Sequence, residues 1–153
     1  MRFFTIRHWD IAYDLSGYNP QLDGYKEDER ELDRWNKGND PCIYMYDSLP
    51  LCIYEHYIRT SLTKLPPALI CLELEVPDGS CEVFGVDALP PDWRNESQRG
   101  ALQQFGSSIL RAKRTLVAGF PSFEVPGEKN YLLNPKHELI GEVKFIGVRK
   151  CNY

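Results

Sequence analysis

The stretch Leu49-Pro50-Leu51-Cys52-Ile53-Tyr54-Glu55-His56-Tyr57-Ile58 decides how this chain is read. It is almost wholly apolar or aromatic, and Glu55 is its only acid. Asp47 or Ser48 stands where an N-cap is needed and Pro50 is tolerated in a first turn, so a helix beginning near Leu49 is predicted. Helical spacing puts Leu49, Cys52, Ile53 and Tyr57 on one face and sets Leu51 and Ile58 on either side of Glu55. A helix apolar most of the way round is expected to be buried. Its carboxylate then needs a partner or a task, because a bare buried charge is costly. A core carboxylate tied to a structural arginine is the plain alternative to catalysis.

Outward from this helix, Pro41 to Tyr46 reads as a short strand feeding it, and residues 2–7 as a first strand that brings in Arg7. Between them, Asp14 to Asp33 is loop-like, with Gly17, Pro20 and Gly24 as punctuation. The run Lys26-Glu27-Asp28-Glu29-Arg30-Glu31 reads as solvated surface. On the other side, Leu65-Pro66-Pro67 closes a connection. Leu69 to Val76 alternates towards its end, with Ile70, Leu72, Leu74 and Val76 on one face and Glu73 and Glu75 on the other, which predicts a half-buried strand. After the Pro77-Asp78-Gly79 turn, Cys81 to Val86 can return as a second strand. Leu89-Pro90-Pro91-Asp92-Trp93 is a rigid link pinned by Trp93. Asn95 or Ser97 caps a helix running to about Arg111, with Leu102, Phe105 and Ile109 on its inner stripe. Thr115 to Ala118 and Val143 to Val148 are further strands. Strands and helices mixed without a βαβ rhythm give an α+β fold, expected as one domain over residues 1–153.

Composition excludes several classes. At 42% hydrophobic and 26% charged residues, disorder is not the default. A net charge of −4 without a Lys/Arg run argues against direct nucleic-acid binding. No apolar segment approaches the roughly 20 residues of a membrane span. The opening Met1-Arg2-Phe3-Phe4-Thr5-Ile6 is not a signal-peptide pattern, and the five cysteines never form a Cys-x-x-Cys pair, so a cytoplasmic protein with free thiols is expected. Three scattered histidines argue against zinc. No Gly-rich phosphate loop is present, neither P-loop nor Rossmann.

Several short pieces, taken together and in order, are recognisable. They are Arg34-Trp35-Asn36, then Pro41 and Tyr44, Glu55, Leu89-Pro90-Pro91-Asp92-Trp93, Phe120-Pro121-Ser122, and Asn130-Tyr131-Leu132-Leu133-Asn134-Pro135-Lys136-His137. In these the chain resembles the RES-domain family, toxins of bacterial toxin–antitoxin pairs. Ten positions separate Arg34 from Tyr44 and eleven separate Tyr44 from Glu55, as in the family pattern. The resemblance implies a fold similar to ADP-ribosyltransferases and consumption of NAD⁺ as substrate, with no metal. It also implies a separate Xre-like helix-turn-helix antitoxin that covers the active site, and a homodimer of toxin protomers.

The resemblance also suggests roles that the residue types suit. Glu55 is the candidate for hydrogen-bonding the ribose and stabilising an oxocarbenium-like centre as the nicotinamide leaves. Arg34 suits the pyrophosphate through its two-pronged guanidinium, and a salt bridge to a local acid is its plain alternative. Tyr44 offers a π face to the cationic nicotinamide, or is an ordinary strand aromatic. Ser122 can orient the nicotinamide amide or the Glu55 carboxylate. With no His-Asp partnership evident, it is not read as a nucleophile. Arg7 is a second phosphate contact. Asn134 is placed at the cofactor as well, although Asn-Pro favours a turn and the Asn130, Asn134 and His137 block is expected to shape the pocket wall. The three tryptophans, Trp9, Trp35 and Trp93, are expected as core anchors.

Three functions follow. The first is NAD⁺ degradation by hydrolysis or phosphorolysis. The second is transfer of ADP-ribose to a protein acceptor from the same pocket. The third is a catalytically inactive module that binds an antitoxin or a nucleotide.

Overall fold

The computed structural model describes residues 1–8, 34–60 and 69–151. Trp9, the Asp14 to Asp33 segment with its charged run, and Leu65-Pro66-Pro67 lie outside the described residues. So does the side chain of Arg7. Two antiparallel-rich sheets and two α-helices make up the described part, an α+β arrangement as the sequence predicts. The first sheet has the order β1-β3-β7: β1 (Arg2–His8), β3 (Leu69–Glu75) and β7 (Lys144–Lys150). The second has the order β2-β6-β5-β4: β2 (Ile43–Met45), β6 (Lys129–Leu133), β5 (Val117–Pro121) and β4 (Cys81–Val83). Tyr46 bridges to Phe4 and ties the end of β2 to the first sheet.

The sheets share one core, in which Phe3, Leu74 and Val76 from the first pack on Ile43, Met45, Val117, Tyr131 and Leu133 from the second. The pleat sends alternate residues to the other faces. Ile6, Leu69 and Cys71 of the first sheet pack on Leu51 and Cys52 of α1 (Leu49–Thr60). Tyr44, Ala118, Phe120 and Leu132 of the second pack on Leu102 and Leu110 of α2 (Arg99–Ala112), with Trp35 and Trp93 as anchors.

The Glu55 helix begins at Leu49, as predicted. Ser48 is its cap: the hydroxyl accepts from the Leu51 amide at 3.3 Å, and the Ser48 carbonyl accepts from the Cys52 amide. Asp47 instead accepts from the Tyr131 hydroxyl. Burial is one-sided, however. Leu51, Cys52, Glu55 and His56 are buried, whereas Tyr54 and Ile58 are exposed. The helix lies on one face of a sheet, and the described residues leave its far side uncovered.

Two other expectations are corrected. Leu69–Glu75 is buried on both faces, because Leu74 packs on the second sheet while Leu69 and Cys71 pack on α1, and β1 and β7 cover its two edges. Glu73 is kept there by Arg2 at 3.2 Å and Arg149 at 3.7 Å from the flanking strands. Cys81–Val83 does not return alongside β3; it leaves for the second sheet and pairs in parallel with β5. The predicted link is anchored as expected, with Trp93 buried and 6.1 Å from Trp35. Asn95 caps a short 3₁₀ turn that leads into α2 by accepting from the Ser97 amide.

Candidate active site

The site is assembled by strand register. Tyr44 sits opposite Leu132, and Asn130 lies two residues earlier on the same face of β6, opposite Phe120 of β5. Ser122 follows directly after β5. The Ser122 amide donates to the Glu128 carbonyl at 2.8 Å, closing the hairpin loop to β6. Gly127, with φ of +87°, turns that loop through the left-handed region that glycine enters freely. Helix α1 then delivers Glu55 onto this end of the sheet.

Glu55 is 4% exposed and is the focus of the network. Its Oε1 accepts from the Ser122 hydroxyl in a short hydrogen bond and from Asn130 Nδ2 at 3.0 Å. The Ser122 oxygen in turn accepts from the amides of Glu124 at 3.2 Å and Val125 at 2.9 Å. With two amides aimed at its lone pairs, the hydroxyl has its proton directed to Glu55, so Ser122 orients the carboxylate. Asn130 Oδ1 accepts from Trp35 Nε1 at 3.3 Å, which fixes which end of the amide faces Glu55. Arg94 holds the same loop from outside, donating to the Phe123 carbonyl at 2.6 Å and the Ser122 carbonyl at 3.3 Å.

Tyr44 holds the entrance loop. Its hydroxyl accepts from the Trp35 amide at 3.0 Å and donates to Asn36 Oδ1 at 2.7 Å, while its ring lies 5.2 Å from the Arg59 guanidinium carbon. The Arg34-Trp35-Asn36 loop is also docked on α2. The Lys37 amide donates to Ser107 Oγ, Asn36 Nδ2 donates to the Asp40 carbonyl, and Arg111 grips Asp40 through two nitrogens at 2.9 and 2.7 Å. That grip holds the Asp40 carboxyl below its ordinary range. Trp35 can come this close because α2 offers Gly106, where a Cβ would lie 1.7 Å from the Trp35 carbonyl oxygen.

These residues line a cleft of about 590 Å³, counting its open mouth, walled by Arg34, Tyr44, Glu55, Arg59, Arg99 and Asn130 together with Tyr46, Ile58, Phe123 and Glu124. Three guanidinium groups and two carboxylates line it, and a third carboxylate, that of Glu96, is bonded to Arg34 and Arg99. Its guanidinium groups are donors of the kind that pair with phosphate or carboxylate oxygens. The Arg34 guanidinium lies over the Phe123 ring, 3.4 Å from its centroid, and donates to Glu96 at 3.2 and 3.3 Å. The salt bridge weighed as its plain alternative is therefore present, in addition to its place at the cleft.

The structure brings Arg34, Tyr44, Glu55 and Ser122 to one place. Asn134 is elsewhere: it does not line the cleft, its Nδ2 donates to the Leu110 carbonyl at 2.8 Å, and its Oδ1 accepts from the Lys136 amide at 3.0 Å. Both ends of that side chain brace the turn after β6, as the Asn-Pro chemistry suggests. Arg7 belongs to β1, opposite Ile70. Sequence reasoning left out Arg59, Arg99 and Phe123. Arg59 follows Glu55 by four residues on the same helix, a spacing that signals a shared face. Arg99 had no comparable signal.

Fold and site together define a RES-domain protein: the RES domain model matches residues 2–149, and the chain belongs to that family. It is 32% identical over 160 aligned residues to the "Prs ADP-ribosylating toxin" of Sphingobium sp. (strain YBL2), covering 97% of this chain and 94% of that protein. It is 26% identical over 115 residues to a "Toxin Res" of Photorhabdus laumondii, covering 72% of this chain and 74% of the relative. Among solved structures it is similar to a chain of the M. tuberculosis MbcT-MbcA toxin–antitoxin complex. That match has a TM-score of 0.70 at 13% identity, over 99% of this chain and 84% of the other, and shows a shared fold.

Proposed function

We propose that this chain is the toxin of a toxin–antitoxin pair and consumes NAD⁺ by cleaving the nicotinamide–ribose bond. Water or phosphate then takes up the ADP-ribosyl group. The observation that carries the reading is Glu55, buried on a rigid helix and oriented by Ser122 and Asn130 at the base of a cleft rich in arginine. As nicotinamide departs with the bonding electron pair, positive charge grows on the ribose. A carboxylate already held by two donors stabilises that charge without reorganising. Arg34, stacked on Phe123, serves the pyrophosphate as a two-pronged donor. Tyr44 forms the wall for the nicotinamide. With water as acceptor, NAD⁺ and water give ADP-ribose, nicotinamide and one proton.

Protein ADP-ribosylation is the second reading, and the specific support for it is the 32% identity to a toxin named for ADP-ribosylation. It uses the same cleft and differs in the nucleophile. The match to a chain from a toxin–antitoxin complex supports an antitoxin partner; we take that partner to be a separate Xre-like chain, and the toxin to be a cytoplasmic homodimer of one RES domain per protomer.

The test is incubation of partner-free protein with NAD⁺, with and without phosphate, while nicotinamide and ADP-ribose products are followed by chromatography. Nicotinamide release that depends on Glu55 is expected. The co-product names the acceptor: free ADP-ribose for water, its 1-phosphate for phosphate, and labelled protein for transfer. No turnover by folded protein, with candidate acceptors supplied, overturns the enzymatic reading in favour of a binding module.

A further inference from the structure

The arginines at the cleft are not waiting bare for a ligand. Glu96 Oε2 accepts from both terminal nitrogens of Arg34, at 3.2 and 3.3 Å, and Glu96 Oε1 accepts from Arg99 Nη1 at 3.0 Å. Both arginines line the cleft. One carboxylate thus bridges two guanidinium groups, the arrangement that a phosphate oxygen pair would adopt on the same donors. The two partners differ in how far they are packed. The Arg34 side chain is 14% exposed and stacked on Phe123, whereas the Glu96 side chain is 61% exposed on a three-residue 3₁₀ turn. The fixed side of the contact is the arginine, and the replaceable side is the glutamate. Two charges near −1 cannot share one guanidinium edge without repulsion, so an anion that engages Arg34 here must displace Glu96.

We propose that Glu96 is an internal stand-in for a substrate phosphate, bridging Arg34 and Arg99 until a diphosphate group takes its place. This rests on the assignment of Arg34 to the pyrophosphate. Glu96 then sets the affinity of the cleft for diphosphate anions: it keeps the arginines aligned in the free protein and screens out weaker anions. Exposed ion pairs are individually weak, so the exchange is readily reversible and its effect on affinity is about two- to tenfold.

The test compares wild type with Glu96→Gln and Glu96→Ala, using inorganic pyrophosphate as the probe in titration calorimetry and the KM for NAD⁺ as a second reading. Glu124→Gln is the control, since Glu124 lines the same cleft but forms no ion pair among the described residues. Pyrophosphate binding about two- to tenfold tighter in both Glu96 variants, with a smaller change in the control, is the expected result. Unchanged or weaker binding overturns the proposal and makes Glu96 a positioning residue for Arg34. An equal gain in the control overturns it as well, by reducing the effect to net charge. Pyrophosphate binding to none of the proteins also overturns it. If the Glu96 variants bind pyrophosphate more tightly but no form of the protein releases nicotinamide, the stand-in holds and the NAD⁺ reading falls.

Discussion

The Ser122 hydroxyl donates a hydrogen bond to the Glu55 carboxylate, a contact between residues 67 positions apart in the chain. The two amides that Ser122 accepts from leave its proton one direction to point. Removal of this donor should lower kcat/KM by about 10²-fold, the usual effect of losing one preorganised donor at a charged centre. Glu55→Gln, which removes the charge itself, should cost at least about 10³-fold. Nicotinamide release by Ser122→Ala and Glu55→Gln proteins measures both. A Ser122→Ala protein with full activity would remove the hydroxyl from the mechanism.

Asn130 links Glu55 to Trp35 and so joins α1 to the Arg34-Trp35-Asn36 loop. Asn130→Ala should destabilise the protein by about 1–3 kcal/mol, because it leaves a buried carboxylate oxygen and an indole N–H short of a partner. Asn130→Asp should be worse for activity at neutral pH, since it sets a second carboxylate against Glu55 where an N–H now stands at 3.0 Å. Thermal melts together with NAD⁺ turnover separate the two effects. Equal activity in the Asp and Ala variants would count against the charge argument.

Gly106 is the position where α2 accepts the Trp35 backbone. A methyl group there would meet the carbonyl oxygen at 1.7 Å, so one of the two must move. Gly106→Ala should improve helix propensity and still lower Tm, with an overpacking cost of about 1–3 kcal/mol. Displacement of Arg34-Trp35-Asn36 should also raise KM for NAD⁺. Circular dichroism with retained helix content, alongside reduced Tm and raised KM, is the expected pattern.

Asp40 supplies a pH signature. The hydrogen bonds from Arg111 hold its carboxyl below the ordinary value of 3.8. A carboxyl depressed in the folded state contributes stability that is fully present above its unfolded pKa. That contribution is lost as the pH falls through the folded value. The Tm advantage of wild type over Asp40→Asn should therefore be steady near neutrality and disappear on acidification below about pH 4. An advantage that persists at low pH would mean that geometry rather than charge carries the contact.

Local chemistry made much of the chain legible. Ser48 before an apolar run with Pro50 in its first turn starts α1 where expected. The Asn95 and Ser97 signals likewise precede α2. The burial of Trp35 and Trp93 follows from their size and apolar surface. Other elements were not legible for an equally physical reason. The pattern of β3 shows which residues face alike but not how many strands flank it, so Glu73 reads as exposed until Arg2 and Arg149 arrive from β1 and β7. Cys81–Val83 has the look of a strand, yet only the available sheet edge decides its partner.

The residue types of the site were likewise set by the sequence alone: one acid in an apolar helix, with the motif pieces around it. Tertiary structure decided which of them meet. Asn134 and Asn130 stand in the same motif, yet register turns Asn130 towards Glu55 and leaves Asn134 to brace a turn. Arg99 and Glu96 carry no signal that separates them from surface charges until the fold sets Arg99 at the cleft with Glu96 bonded to it. Helix and strand formation depend on neighbours a few positions apart, which a sequence displays directly. The site depends on contacts such as Glu55 with Ser122 and Trp35 with Gly106, whose partners lie 67 and 71 positions apart and are chosen by packing.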